Sequence, residues 1–169
     1  MYNDTTYKKS GVLQESLHLP IVQEMFIPQD IEIIAASDQE NISLKVDYWG
    51  IRNKIKQYGF DFKTAIKPWQ AFGLTYDINK SSYNVFNAPQ HPNITSIFLL
   101  HDIHAYAFLS KRNIHEWFME NKPFINPGKT DDSTYFWFPR SVIEKLAKRI
   151  VCYDEYCAFK SLLAEGKLL

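Results

Sequence analysis

Short runs of alternating apolar and polar residues dominate the middle of this chain. "IEIIAAS" (31–37), "ISLKVDYWG" (42–50) and "YGFDFKTAI" (58–66) each read as a strand, the second with Ile42, Leu44 and Val46 at every other position. "DQEN" reads as a turn between the first two, and "IRNKIKQ" as the connection to the third. Further on, "ITSIFLLHD" (94–102) and "AYAFLS" (105–110) are apolar runs of strand length joined around Ile103 and His104, and "STYFWFPR" (133–140) is an aromatic strand. Helical signals lie outside these runs. Residues 8–27 carry a helical region that Pro20 should break or restart. "SKRNIHEWFMEN" (110–121) predicts a short helix capped by Ser110, and "SVIEKLAKRI" (141–150) a helix with Ser141 and Glu144 at capping-box spacing. Between 67 and 93, Pro68, Pro89 and Pro92 with several Asn and Ser predict a long loop with some short helix. Together these elements make an α+β fold, a central mixed sheet flanked by helices.

The third strand carries an anomaly. Side chains alternate along a strand, so Asp61 and Lys63 share one face while Phe60, Phe62 and Thr64 share the other. Asp47 closes the second strand, and pairing of the two strands brings it close to Asp61, with Lys63 one step along. Two neighbouring carboxylates repel unless a cation such as Mg²⁺ lies between them. A lysine beside that cation can orient water or stabilise charge on a phosphate. The plainer alternative is an ion pair of Lys63 with Asp47 or Asp61 that binds nothing.

Composition sets bounds on both readings. A chain of 169 residues, 46% hydrophobic and 15% aromatic, is expected to form one globular domain with a sizeable core. Its 19 basic and 19 acidic residues cancel, which excludes an indiscriminate nucleic-acid coat. The charges are unevenly spread. Residues 10–44 hold no Lys or Arg, whereas Lys45, Arg52, Lys54, Lys56, Lys63 and Lys67 face only Asp47 and Asp61 in the stretch 45–67. That basic middle fits a phosphate-binding surface or a strand edge decorated with solvated lysines. The opening "MYNDTTYKKS" has no apolar core, and no run approaches the roughly 20 residues of a membrane span. The expectation is therefore a cytoplasmic protein without membrane contact, its Cys152 and Cys157 reduced in a late helical stretch.

Other candidate chemistry is weaker. His101, Asp102 and His104 in "HDIHAY" could ligate a metal, but alternation turns His101 and Asp102 apart and no third strong ligand follows. The aromatics of "STYFWFPR" could stack bases, yet at alternating positions they read as core. Arg140 and Lys148 read as a solvated helix face, and the six scattered glycines form no phosphate loop.

The order of helix, strand, Asp47, then a strand with Asp61-x-Lys63 resembles the PD-(D/E)xK nuclease superfamily, which includes restriction endonucleases. The resemblance covers roughly residues 10–110, with Val46 where the family name has proline and Asp61 where glutamate is commoner. It implies a Mg²⁺-dependent endonuclease acting on double-stranded DNA, with Asp47 and Asp61 holding the metal and Lys63 serving the attacking water or the transition state. It also implies a glutamate from the preceding helix, for which Glu15 and Glu24 are the candidates, and a homodimer that cleaves one strand per copy. The competing expectation is a module with the same shape that binds nucleic acid or a protein partner without chemistry.

Overall fold

The computed structural model describes residues 4–64, 71–76, 93–128 and 134–154. It is an α+β fold built on a mixed six-stranded sheet, with a second sheet and, among the described residues, four α-helices. The chain begins with α1 (Asp4–Phe26), followed by β1 (Glu32–Ala35), α2 (Asp38–Leu44), β2 (Tyr48–Arg52) and β3 (Ile55–Lys63). Next come β4 (Ala71–Tyr76), β5 (Ile94–Leu100), β6 (Ala105–Ser110) and α3 (Lys111–Asn121). The last described elements are β7 (Asn126–Pro127), β8 (Thr134–Pro139), α4 (Arg140–Leu146) and β9 (Arg149–Cys152). The large sheet has the order β1-β2-β3-β5-β6-β9, antiparallel throughout except for the parallel pair β3–β5. The order β4-β8-β7 makes the small antiparallel sheet.

The large sheet is covered on both sides, which explains why "IFLL" and "AYAFL" read as continuous apolar runs. On one face Val22, Met25 and Phe26 of α1 pack against Phe60, Phe62, Ile97, Leu99, Tyr106 and Phe108. On the other, Phe98, Leu100, Ala107 and Leu109 pack against the small sheet, through Phe72, Leu74, Phe136 and Phe138, and against Ile114 of α3 and Ile143 of α4. Phe60 and Phe62 take the α1 face, so Asp61 and Lys63 fall on the face of the small sheet. The β3–β5 register agrees, since it sets Asp61 beside Ser96 and Lys63 beside Phe98.

Several expected boundaries move. The stretch 38–44, expected as a turn and the start of a strand, is the helix α2. Ser37 caps it by accepting from the Glu40 N–H, while Glu40 accepts in return from the Ser37 N–H, a capping box. Ile42, one of the supposed inward positions, is exposed, and seven residues are too few to display a helical period. Lys45, at φ 54°, ends α2 in the left-handed region, so Asp47 precedes β2 instead of closing a strand. "IRNKIKQ" does connect β2 to β3, as a tight hairpin turned at Asn53 and Lys54, both at positive φ. Helix α1 runs on through Pro20, whose exposed position and loss of one backbone hydrogen bond leave the apolar face intact. Residues 71–76, expected within a loop, form β4 and bury Phe72 and Leu74 at alternate positions.

Ser110 caps α3 as expected, by accepting from the Asn113 N–H. Ser141 does not cap α4. Pro139 holds that place, and Glu144 accepts from Arg140 Nε at 3.1 Å. The end of the supposed last helix is strand β9, so Cys152 lies on a sheet edge paired with Ala105, not in a helix. Cys157, the tail after 154 and most of the expected loop lie outside the described residues. His101 and Asp102 sit in a one-turn 3₁₀ helix rather than at alternating strand positions. Arg140 is no free solvated cation, since its guanidinium holds Asp102 at 2.6 Å. Among the described residues, no helix is long and apolar enough to cross a membrane.

The Ser37–Glu40 box supports the α2 segment that leads into Asp47. Ser37→Ala should destabilise the protein by about 0.5–2 kcal/mol, read as a lower urea midpoint at unchanged slope.

Candidate functional site

Asp47 is placed by the strand it enters. Its N–H donates to the Phe60 carbonyl at 2.8 Å and its own carbonyl accepts from Ala36 at 2.9 Å, so its backbone is fixed between β1 and β3. Extending the Tyr48–Phe60 register by one residue sets Asp47 across from Asp61 on the same face. The Asp47 carboxylate accepts from Asn41 Nδ2 at 2.7 Å and from the Phe62 N–H at 2.8 Å. Burial, and next the negative charge of Asp61, push this carboxyl up to about 6, against the pull of the Phe62 N–H and Lys63.

Asp61 is 5% exposed and is held by two lysines. Lys63 Nζ meets Oδ1 at 2.9 Å and Lys111 Nζ meets Oδ2 at 3.2 Å, with the Ser96 hydroxyl donating to Oδ2 at 3.4 Å. Burial alone would raise this carboxyl, but Lys111 and then Lys63 overcome it and hold it down at about 2. Burial likewise works to lower the Lys63 ammonium, yet the charges of Asp61, Asp47 and Glu15 keep it above its ordinary value. The Lys63 side chain is about a third exposed, at 31%. Lys111 is 2% exposed; burial outweighs the pull of Asp61 and lowers its ammonium.

The two helical glutamates part ways. Glu15 is half-buried and accepts from the Tyr48 hydroxyl, and its charge is felt at both Asp47 and Lys63. Burial and then this carboxylate raise the Tyr48 phenol far above its ordinary value, so it stays a proton donor to Glu15. Glu24 lies nine residues further along α1, which at about 100° per residue is half a turn round the helix, and it is exposed.

The structure thus gathers Asp47, Asp61, Lys63 and Glu15 at one end of β2 and β3, leaves Glu24 out, and adds Lys111. The signal for Lys111 lay in its position. A lysine at the first residue of a helix, with no acidic residue in the first turn, opposes the helix dipole and calls for an anion nearby. Among the described residues, no three or more His, Cys, Asp or Glu side chains are grouped closely enough to hold a metal ion. Asp47 and Asp61 lie across from each other in register, with Glu15 tied to Tyr48 at their side.

An α+β protein with a buried aspartate, Asp61, held between two lysines and a second carboxylate, Asp47, across from it is what fold and site define. The chain matches no protein-family model, no curated protein and no solved structure.

Proposed function

We propose that this chain is a Mg²⁺-dependent endonuclease that hydrolyses phosphodiester bonds in double-stranded DNA, in the manner of a restriction enzyme. The observation that carries the reading is the convergence of Asp47, Asp61 and Lys63 on adjacent residues of one sheet end. Their chemistry fits a hard cation. Asp47 is a carboxylate whose ionised form is penalised by burial and by Asp61, and Mg²⁺ is commonly held by one or two carboxylates together with waters. Asp47 and Asp61 would hold the ion, which when bound would polarise the scissile phosphate as a Lewis acid. Lys63, whose side chain is partly open to solvent, brings a retained positive charge to where charge would develop on the phosphate or where water would be held for attack. Glu15, fixed by Tyr48, adds negative charge beside the pair. Two copies acting on opposite strands would make a double-strand break.

A second reading has an observation of its own. Both Asp61 oxygens already face ammonium groups, so the cluster is largely neutralised from within. That favours a nuclease-shaped module that binds nucleic acid or a protein partner without cleaving. Purified protein incubated with mixed DNA substrates, with Mg²⁺ and with EDTA, separates the two. Cleavage only with Mg²⁺ supports the enzyme. Retained DNA binding without cleavage supports the module.

The glutamates supply a finer check. Glu15→Ala should slow cleavage at least tenfold, whereas Glu24→Ala should leave it within about twofold of wild type, since an exposed surface change away from the site is near neutral. Equal effects of the two would remove Glu15 from the site.

Asp47 also predicts a pH dependence in the metal-free protein. Its carboxyl titrates near 6 in the fold but near 3.8 when unfolded, so the protonated form is favoured by folding. The stabilisation is fully present below about 3.8 and is lost as pH rises through about 6. Urea midpoints of wild type and Asp47→Asn, compared from about pH 4 to 7, should diverge as pH rises towards about 6 and run parallel above it. Curves parallel over the whole range would contradict the assignment.

A further inference from the structure

Lys111 is buried where a cation is least welcome, at the N-terminus of α3, whose own N–H groups already present positive potential. A charge so buried destabilises the fold by several kcal/mol unless it is paired and hydrogen-bonded. It has two partners, and they belong to different arms of the site. One is Asp61 Oδ2 on β3, at 3.2 Å. The other is the carbonyl of Lys45, at 2.6 Å. Lys45 is the left-handed residue that closes α2, and it leads through the fully buried Val46 directly to Asp47. A single ammonium therefore ties the Asp61 carboxylate to the backbone that carries Asp47. Asn41 of α2 adds a second tie on that arm, donating to the Val46 carbonyl at 3.3 Å and to Asp47 at 2.7 Å.

We propose that Lys111 is a positioning residue that sets the spacing of Asp47 and Asp61 for a divalent cation. The inference rests on the reading of those two carboxylates as the metal-holding pair. Lys63 does not duplicate the role. It meets the opposite oxygen of Asp61 and stays partly open to solvent, whereas Lys111 is closed off at 2% exposure. One lysine faces the substrate side and the other braces the frame.

Positioning and charge predict opposite signs. Removing a cation from beside two carboxylates would, through charge alone, tighten Mg²⁺ binding. Removing a brace that orients metal ligands loosens binding, typically by about 10–100-fold. Calorimetric titration with Mg²⁺ of the full chain as wild type, Lys111→Met and Lys111→Arg distinguishes the two. Met keeps the length without the charge, and Arg keeps the charge and its donors. The expected result is at least tenfold weaker binding in Lys111→Met among folded molecules, with Lys111→Arg recovering most of the loss. Equal or tighter binding in Lys111→Met, with wild type binding normally, overturns the inference alone. No Mg²⁺ binding by wild type defeats the metal-pair reading itself, and the inference with it. If Lys111→Met does not fold, the ¹⁵N signal of the Lys111 ammonium in wild type decides. A shift on Mg²⁺ addition is expected, and an unchanged signal overturns the inference.

Discussion

Lys63→Ala should cut the single-turnover rate of Mg²⁺-dependent DNA cleavage by about 10²–10³, the usual loss when one preorganised charge-stabilising group is removed. The substitution deletes an ammonium 2.9 Å from Asp61 without deleting a carboxylate. Metal binding should survive it, because Asp47 and Asp61 remain and Lys111 still holds Asp61 from the other side. DNA affinity should fall only slightly, since one phosphate contact among several is lost. Rate and affinity measured on the same preparation give the answer. A parallel fall in both would make Lys63 a binding residue, and an unchanged rate would remove it from the chemistry.

Asp61→Ala should do more damage, and of two kinds. Cleavage should fall further than in Lys63→Ala, to a small residual rate, with the loss of a carboxylate that the pair cannot spare. The fold should also weaken, because Lys111 would stay buried with only the Lys45 carbonyl for company. Breaking one side of a buried ion pair is destabilising by about 3–5 kcal/mol. At roughly 2–4 °C per kcal/mol for a chain of this size, the melting temperature should drop by on the order of 10 °C. DNA binding without metal should persist or tighten, since a negative charge facing phosphate is gone. Calorimetric melting and gel-shift titration check the two halves separately. A variant as stable as wild type would mean that Lys111 finds another anion or reaches water.

How much of this was legible in the sequence depended on the length of each signal. The buried strands β5 and β6 and the helix α3 were legible because uninterrupted apolar runs and the Ser110 cap are local features. Helix α2 was not, although its capping box, Ser37 with Glu40, is a sequence signal. Seven residues cannot establish a helical period, and the chance alternation of Ile42, Leu44 and Val46 imitated a strand. Strand β4 was hidden by the prolines around it, and β9 by its attachment to a helix-like run. At the site, Asp61 and Lys63 stood out because two charges on one face of an otherwise apolar strand demand a partner. Asp47 was found through its neighbouring strand, although it lies just before β2. Lys111 is 50 residues from Asp61 in sequence, so only the parallel β3–β5 pairing and the hairpin turn into β6 bring it there. No local pattern encodes that approach; its trace is a lysine set against a helix dipole.

Whether Asp61 and Lys63 act in one chemical step is tested most directly by cleavage rates under single-turnover conditions with saturating Mg²⁺. Wild type, Asp61→Ala, Lys63→Ala and the double variant would be compared, each well below its melting temperature. Groups that work as a unit lose their effect together, so the double variant should be no slower than the slower single variant. Equal rates in all four proteins, or losses that multiply in the double variant, would contradict a shared catalytic site.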